Sequence, residues 1–351
     1  MTTTNNVGGN VVVAADQLHD VILQILVSDG ATVRDATQQA AQLVEGDLRD
    51  HHSHGVRRLP VLVGRLRNGL ISSGRPILTN WLTESFVSVD GQQGFGPAVA
   101  METVDLIMDR AAKTGIAAAA VRNANHVGML APYLERMAAG SMIGIGLTTS
   151  EALVHPWGSA RAMVGTNPIG IGVPTGDGPL VLDMSTGSVS MGKVLDHAAR
   201  GAPIPDGWAV DTSGSPTTDA RAAAAGAISP FGGPKGFALG LAFEALVGVI
   251  TGTSFGTAVT GTLDTTEPAT KGDVFVCLSV GRLGLGAQLP VLHEYLNEVR
   301  ASGVDGLAVT VPGDRARAVR ADRLATGIPL DTEVWQRTLA LLEHSEPERT
   351  D

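Results

Sequence analysis

Strand and helix patterns alternate along the chain from about residue 85 onward. Short aliphatic runs at 116–121, 142–148 and 180–184 favour strands, and the longer amphipathic segments between them favour helices. This alternation is typical of helices packed on a largely parallel sheet. We therefore expect an α/β fold with a mixed, largely parallel sheet flanked by helices.

The two ends of the chain have a different pattern. Apolar residues recur at helical spacing from Leu18 to Leu26, Thr32 can cap a second helix, and Pro60 fits only the first turn of a third. The last forty residues favour two more helices. We predict a helical unit of residues 1–80 that packs with 312–351, and an α/β cofactor-binding unit of 81–311. We also expect a loose tail at residues 1–13, a loop at 220–236 and a last strand at 307–311.

A polar stretch at residues 47–60 contains three of the nine histidines within four positions. Ser53 lies between two of them, and Arg57 and Arg58 follow just before the third helix. The amides and dipole of a helix N-terminus favour an anion, and the planar guanidinium of arginine matches a carboxylate. An imidazole such as that of His54 can transfer a proton near neutral pH. The stretch therefore predicts a site that holds a small carboxylate and protonates a neighbouring atom.

Two other interpretations of this stretch stay open. A run of histidines and arginines before a helix is often a solvated face or a capping network. A metal could also use Asp50, His51, His52 and His54. Neighbouring histidines point in different directions, however, and no zinc-type spacing is present. We predict no metal site.

The usual phosphate-binding motifs are absent. No G-x-G-x-x-G lies between a strand and a helix, so a Rossmann unit is not expected. Residues 187–194 nearly match a P-loop, but Val194 stands where Ser or Thr would hold magnesium. His126, between a strand and the next helix, lies where α/β sheets bind ligands, although a lone histidine there is often structural. A turn before an apolar helix carries Lys235.

Composition narrows the class of protein. The formal charge of −10 argues against nucleic acid as a partner. The single cysteine, Cys277, lies in an apolar run and fits a reducing compartment. The first residues lack the pattern of a signal peptide, and the longest apolar run, 237–250, contains Glu244 and is too short to span a bilayer. We expect a cytoplasmic protein without a membrane partner.

The motifs gain weight from their order. Ser-His-Gly-x-x-Arg at 53–58 is followed by Asn-x-x-His at 123–126, Gly-Thr-Asn-Pro at 165–168, Leu-Asp-Met-Ser at 182–185, Gly-Lys-Val at 192–194 and Gly-Pro-Lys-Gly at 233–236. In this respect the chain resembles the malate/L-lactate dehydrogenase family of the non-Rossmann type. That family includes ureidoglycolate dehydrogenases, sulfolactate dehydrogenases and cyclic-imine 2-carboxylate reductases. The resemblance covers residues 18–315.

The resemblance implies a role for individual residues. Ser53 and His54 match the family's proton-relay pair, Arg58 matches the arginine that binds the substrate carboxylate, and Asn167 is assigned to the substrate. His126 matches a histidine described as an acid/base in some members and as cofactor-lining in others. The implied cofactor-binding positions are His126, Val127, Gly128, Met129, Leu130, Ser150, Asp183, Met184, Ser185, Lys235, Asp314 and Arg315.

The implied activity is hydride transfer between NAD or NADP and C2 of a small 2-hydroxy or 2-oxo acid, in a homodimer or larger homo-oligomer. One alternative is an NADPH-dependent reductase of a cyclic imine 2-carboxylate, and another is a non-catalytic nucleotide-binding relative. Some members carry a tyrosine four residues after the arginine, where this chain has Leu62. The sequence therefore leaves the substrate open, as it does the choice between NAD and NADP and between His54 and His126 as proton donor.

Overall fold

A computed structural model describes residues 6–7 and 9–343 of the chain. The strands are β1 (Asn6–Val7), β2 (Asn10–Val13), β3 (Leu78–Trp81), β4 (Phe86–Gly94), β5 (Ile116–Ala124), β6 (Met142–Thr148), β7 (Ala152–Val154), β8 (Val164–Gly165), β9 (Ile169–Val173), β10 (Leu180–Met184), β11 (Ala209–Val210), β12 (Ala227–Ile228), β13 (Asp273–Ser279) and β14 (Ile328–Asp331). The helices are α1 (Ala15–Ser28), α2 (Val33–Leu48), α3 (Leu59–Arg67), α4 (Gly96–Thr114), α5 (Ala131–Ala139), α6 (Met191–Arg200), α7 (Ala220–Ala225), α8 (Pro234–Thr251), α9 (Gln288–Ala301), α10 (Asp314–Thr326) and α11 (Thr332–Glu343).

The first helices form as predicted and share a core with the end of the chain. The Thr32 hydroxyl accepts a hydrogen bond from the amide of Asp35 and caps α2, and Pro60 lies in the first turn of α3. Their apolar faces pack with β14 and α11 in one cluster, which also contains Phe95. The division into 1–80 with 312–351, and 81–311, stays a prediction.

The expectation of a loose tail at 1–13 is wrong over residues 6–7 and 10–13. β1 pairs antiparallel with β2, and β2 pairs antiparallel with β14. Val11 and Val13 are buried while Asn10 is exposed, so β2 has the alternation of a half-buried strand. Residues 1–5 and 8 lie outside the described part.

The main sheet has seven strands in the order β10-β9-β6-β13-β5-β4-β3. The α/β class with a mixed sheet is confirmed, but the expectation that most neighbours run parallel is wrong. Within this sheet, as far as the structure describes the chain, only β4 and β5 pair in parallel. β13 inserts antiparallel between β5 and β6, which otherwise would be neighbours in a βαβ unit. The strand–helix alternation could not reveal this, because β13 arrives from more than a hundred residues downstream.

Strands β7, β8, β11 and β12 form a small lobe with α6 and α7, and this lobe has its own core. Its sheet has the order β11-β12-β7-β8, and α6 and α7 pack together beside it. The expectation that 220–236 is a loop is wrong in part, because α7 begins there with the carboxylate of Asp219 as its cap. Residues 307–311 are not a strand; Leu307 is exposed, and the amide of Val309 bonds to the carbonyl of Arg300.

Helix α8 packs against β5, β6 and β13. Within the described residues it is the one helix that is long and apolar enough to cross a membrane, judged by length and composition alone. One third of it is buried, including Gly240 and Glu244. Its inward face therefore belongs to the core, and its outward face remains apolar and exposed.

Candidate active site

The polar stretch folds into two short 3-10 turns, His52–His54 and Val56–Arg58, between α2 and α3. The buried carboxylate of Asp47 holds both turns. Its Oδ1 lies 2.9 Å from His52 Nδ1, and its Oδ2 accepts a hydrogen bond of 2.7 Å from the amide of Val56. A Cβ on Gly55 would lie 2.1 Å from Asp47 Oδ1, so only glycine fits this corner. The open alternative of a capping network thus applies to His52 but not to His54.

His54 lies against a second imidazole from a distant part of the chain. The rings of His54 and His126 stack with centroids 5.6 Å apart and planes inclined by 24°. Ser53 Oγ lies 3.2 Å from His54 Nδ1, and His126 Nδ1 accepts a hydrogen bond of 3.1 Å from the amide of Gly128. A neutral His126 therefore carries its proton on Nε2. The structure brings together the three residues predicted to be catalytic.

Burial and a nearby guanidinium keep both rings neutral. Burial, together with the positive charges of Arg58 and His51, lowers the pKa of His54 to about 3. Burial lowers the pKa of His126 well below its usual value, and Arg58, His54 and Lys271 add to the effect. At neutral pH both imidazoles are therefore uncharged in the unliganded site.

The positive charge of Arg58 contributes to the lowered pKa of both His54 and His126. Its guanidinium donates a hydrogen bond to the carbonyl of Thr262. Burial lowers the pKa of Arg58 to about 10; Glu151 opposes this shift and Arg65 adds to it. The side chain stays cationic at neutral pH and can bind a carboxylate beside the imidazoles.

The segment after His126 is fixed by side chains from two helices, α2 and α5. The Nε2 of Gln42, on α2, donates to the carbonyls of Val127 and Met129 at 3.1 and 2.7 Å. The hydroxyl of Tyr133 donates to the same Val127 carbonyl. Gly128 has φ of 76°, and a Cβ there would lie 2.4 Å from Gln42 Nε2. The segment, which ends at Leu130, is therefore a rigid border to the site.

A pocket of about 220 Å³ lies at the end of this border. It brings together several predicted cofactor-binding residues that are far apart in sequence. The carboxylate of Asp183 accepts a hydrogen bond of 2.8 Å from the amide of Ala131, and burial raises the pKa of this carboxyl to about 6. The pocket is lined by Met129, Asp183, Gly313 and Arg315 among others, and by His51, which connects it to the catalytic stretch.

The predicted positions Ser150 and Asn167 lie in a second group. Ser150 Oγ accepts from the amide of Thr166, and the amide of Ser150 donates to Asn167 Oδ1. Asn167 is fully buried, and its Nδ2 donates to the carbonyl of Gly240 and to Glu244. All its polar atoms are thus engaged within the protein, and its predicted contact with substrate stays a prediction.

The other predicted cofactor residues are spread around these groups. Met184 ends β10, beside Ser185, whose hydroxyl donates to the carbonyl of Gly187. Lys235 is exposed in the first turn of α8. Arg315 pairs with Asp50 at 2.6 Å, and Asp314 forms a two-bond ion pair with Arg300. Asp314 is therefore engaged in packing α9 on α10.

Several residues that shape the site carried no signal in the sequence. From the sequence pattern, Gln42 is an ordinary polar residue of α2 and Arg65 is an ordinary solvated residue of α3. In the structure both residues are buried. Glu151 follows the predicted Ser150 but belongs to no motif. Glu244 did stand out, because it interrupts an apolar run; it is buried and accepts hydrogen bonds from Asn167 and the amide of Gly165.

Comparisons with known proteins agree with this geometry. The sequence profile described as malate/L-lactate dehydrogenase matches residues 13–338. The L-sulfolactate dehydrogenase of Methanothermobacter thermautotrophicus is 34% identical over 92% of this chain and 93% of its own. The Delta(1)-pyrroline-2-carboxylate reductase 1 of Burkholderia ambifaria is 32% identical over 95% and 98%. The crystal structure of a dehydrogenase from Sinorhizobium meliloti, 44% identical, superposes with a TM-score of 0.90 over 94% of this chain and 98% of its own.

The depressed pKa of His54 predicts a particular acid response. Its folded pKa of about 3 lies below the unfolded value near 6.5, so the unfolded chain binds the extra proton first as the pH falls. Above pH 6.5 the neutral ring makes its full contribution to the free energy of unfolding. This contribution is lost progressively as the pH falls from 6.5 to 3. In His54→Gln, the free energy of unfolding should fall less steeply with decreasing pH.

Urea unfolding at a series of pH values measures this slope. His19→Gln, in α1 and outside the imidazole pair, is the matched control and should keep the wild-type slope. Equal slopes for His54→Gln and wild type would contradict the neutral assignment of His54.

Proposed function

The chain belongs to the malate/L-lactate dehydrogenase family, and on this premise we propose that Arg58 and the stacked imidazoles of His54 and His126 act on a small 2-hydroxy or 2-oxo acid. The protein is an oxidoreductase that uses NAD or NADP. The observation that carries the assignment of residues is a cationic guanidinium beside two neutral imidazoles. This combination can bind an acid group and accept a proton from the neighbouring hydroxyl.

The residues around the border segment fit a dinucleotide. The irregular segment 126–130 leads from the imidazole pair to the pocket that contains Asp183 and Arg315. The first turn of α10, beside Gly313, opens toward the same pocket, and helix N-termini favour phosphate groups. When bound, the nicotinamide supplies or accepts the hydride. Met129, Asp183 and Arg315 would hold the cofactor along this line, and Ser150, Ser185 and Lys235 are further candidates.

Arg58 would fix the substrate by its carboxylate. A bidentate pair with the guanidinium restrains both the position and the rotation of the acid group. Because C2 is bonded to that group, its distance from the imidazoles is restrained as well. Leu62, buried one turn along α3, offers no hydroxyl to the rest of the substrate.

The imidazoles would handle the proton. In oxidation of a hydroxy acid, a neutral ring can accept the hydroxyl proton as the hydride leaves C2. In reduction, a ring must first be protonated; binding of the substrate carboxylate offsets the charge of Arg58 and makes this easier. Ser53, beside His54 Nδ1, would orient that ring or pass its proton onward.

A cyclic imine 2-carboxylate is the alternative substrate. The relative from Burkholderia ambifaria is named for such a reductase. The same carboxylate grip would apply, but the group that is reduced would be C=N rather than C=O. A non-catalytic nucleotide-binding protein would use neither Arg58 nor the imidazole pair.

Oxidation of NADH and NADPH should be assayed separately with pyruvate, oxaloacetate, sulfopyruvate and pyrroline-2-carboxylate. We expect at least one of the 2-oxo acids to be turned over with a higher kcat/KM than the imine. Preference for the imine would support the alternative. Dinucleotide binding without turnover of any of the four would contradict the proposal.

Substitutions separate the two roles. Arg58→Ala removes two charge-assisted hydrogen bonds to the carboxylate, and KM for the acid should rise about 100-fold. Of the variants His54→Ala and His126→Ala, the one that removes the proton-transferring imidazole should have a kcat about 10²–10⁴-fold lower. Cofactor binding, measured by nucleotide fluorescence, should survive in Arg58→Ala. Full activity in all three variants would refute the assignment.

A homodimer, or a larger homo-oligomer, and a cytoplasmic location complete the proposal. The outward face of α8 exposes Leu241, Leu246 and Val249 and carries no charge there, because Glu244 points inward. An uncharged apolar face can pair with its own copy across a two-fold axis.

Cys277 is buried, and burial raises its pKa to about 12, as expected of an inert thiol in a reducing compartment.

Val249→Glu tests the oligomer. The side chain is 73% exposed in the single chain, so the substitution should be tolerated by the fold but should dissociate a dimer that buries it. Sedimentation velocity measures the change in mass. Val304→Glu, at a valine 77% exposed elsewhere, is the matched control. A wild-type monomer, or a Val249→Glu protein of wild-type mass, would contradict this interface.

A further inference from the structure

A loop at residues 261–267, here called the clamp loop, lies beside the guanidinium of Arg58. It is folded tightly on itself by the carboxylate of Asp264. That carboxylate accepts hydrogen bonds from the amides of Gly261, Thr266 and Glu267 at 3.0, 2.8 and 2.7 Å. The loop is therefore a compact unit that can be held as a whole.

Arg65 of α3 and Asn68, the residue that follows this helix, hold one side of the clamp loop. Arg65 is 2% exposed, and its Nη1 donates to the carbonyls of Asp264 and Glu267 at 2.9 and 3.0 Å. Its Nε donates to Asn125 Oδ1, directly before His126. Asn68 donates to the carbonyl of Thr265 at 2.8 Å. This side of the loop is thereby tied to the helix that follows Arg58.

Glu151 holds the other side with a single oxygen. Its Oε1 accepts from the amide of Thr262 at 2.7 Å, from the hydroxyl of Thr262 at 3.1 Å and from the amide of Leu263 at 2.9 Å. Hydrogen bonds to an ionised acceptor are stronger than neutral ones. No motif of the sequence and no step of the reaction described above requires Glu151.

One of these bonds acts on the same peptide unit that contacts Arg58. The amide of Leu263 and the carbonyl of Thr262 are opposite ends of one planar peptide group. Glu151 binds its N–H end, and the guanidinium of Arg58 donates to its C=O end. Because the peptide group is a rigid plane, fixing its N–H end also fixes the direction of its C=O end. The hydrogen bond from the Leu263 amide to the Glu151 carboxylate also polarises the Thr262 carbonyl.

We propose that Glu151 is a positioning residue that orients the substrate-binding guanidinium of Arg58 through the Thr262–Leu263 peptide. The negative charge of Glu151 also favours the cationic form of Arg58. Loss of Glu151 frees the peptide to rotate and the guanidinium to leave its bidentate geometry. This inference rests on the proposed role of Arg58 as the carboxylate ligand.

The test uses oxamate, a carboxylate analogue of a 2-oxo acid, with the protein and reduced cofactor. Glu151→Ala should raise both the oxamate Kd and the KM of the acid substrate about tenfold, while kcat stays within about threefold and the cofactor Kd is unchanged. Glu151→Gln keeps a carbonyl oxygen at the same place and should restore the oxamate Kd to within about threefold of wild type. Glu267→Ala, an exposed glutamate of the same loop, is the matched control and should bind oxamate as wild type does.

The outcomes separate this inference from the proposed function. A folded Glu151→Ala protein with wild-type oxamate Kd and KM overturns the inference and leaves the function standing. Equal losses in kcat, cofactor binding and melting temperature also overturn it, because they indicate a general structural role. If Glu151→Ala does not fold, Glu151→Asp, whose carboxylate is one methylene shorter, must give the same tenfold loss. A wild-type protein that neither binds oxamate nor turns over any acid refutes the proposed function itself.

Discussion

Three groups that can carry positive charge lie close together in a buried part of the protein, and this constraint governs the site. Burial, reinforced by the positive charge of Arg58, keeps the imidazoles of His54 and His126 neutral, while the guanidinium keeps its proton. The stacked rings would repel each other if both were charged. In the proposed mechanism, an anionic substrate adds to the negative charge of Glu151, offsets Arg58 and lets an imidazole become protonated. Binding and proton transfer would then be coupled by this electrostatic balance.

Rigid supports keep the cluster in place. Asp47 holds the two turns that carry His52 and Val56, and Gln42 fixes the segment after His126. Both supports come from α2, so the turns and the border segment share one helix as their reference. A buried guanidinium beside two buried imidazoles needs such supports, since any relaxation would let these polar groups move apart and bind water instead.

The way in which the sheet is built also bears on the cofactor site that we propose. β13 enters antiparallel between β5 and β6, so the main sheet lacks the row of parallel strands that forms a Rossmann crevice. The line from His126 to Asp183 and Arg315 instead follows a border segment, the end of β10 and the first turn of α10. The absence of a glycine fingerprint in the sequence is consistent with this arrangement, in which no βα turn must wrap a pyrophosphate.

The sequence by itself determined the local elements, the α/β class and the identities of Ser53, His54, Arg58 and His126 as candidates, because periodicity, caps and short motifs are properties of neighbouring residues. It did not determine strand direction or the insertion of β13, nor that Glu151 and Arg65 would close on the clamp loop. Those contacts join residues 60 to 200 positions apart. Only the tertiary structure decides them, since a polar residue in a helix or loop has the same local pattern whether water or a buried carbonyl becomes its partner.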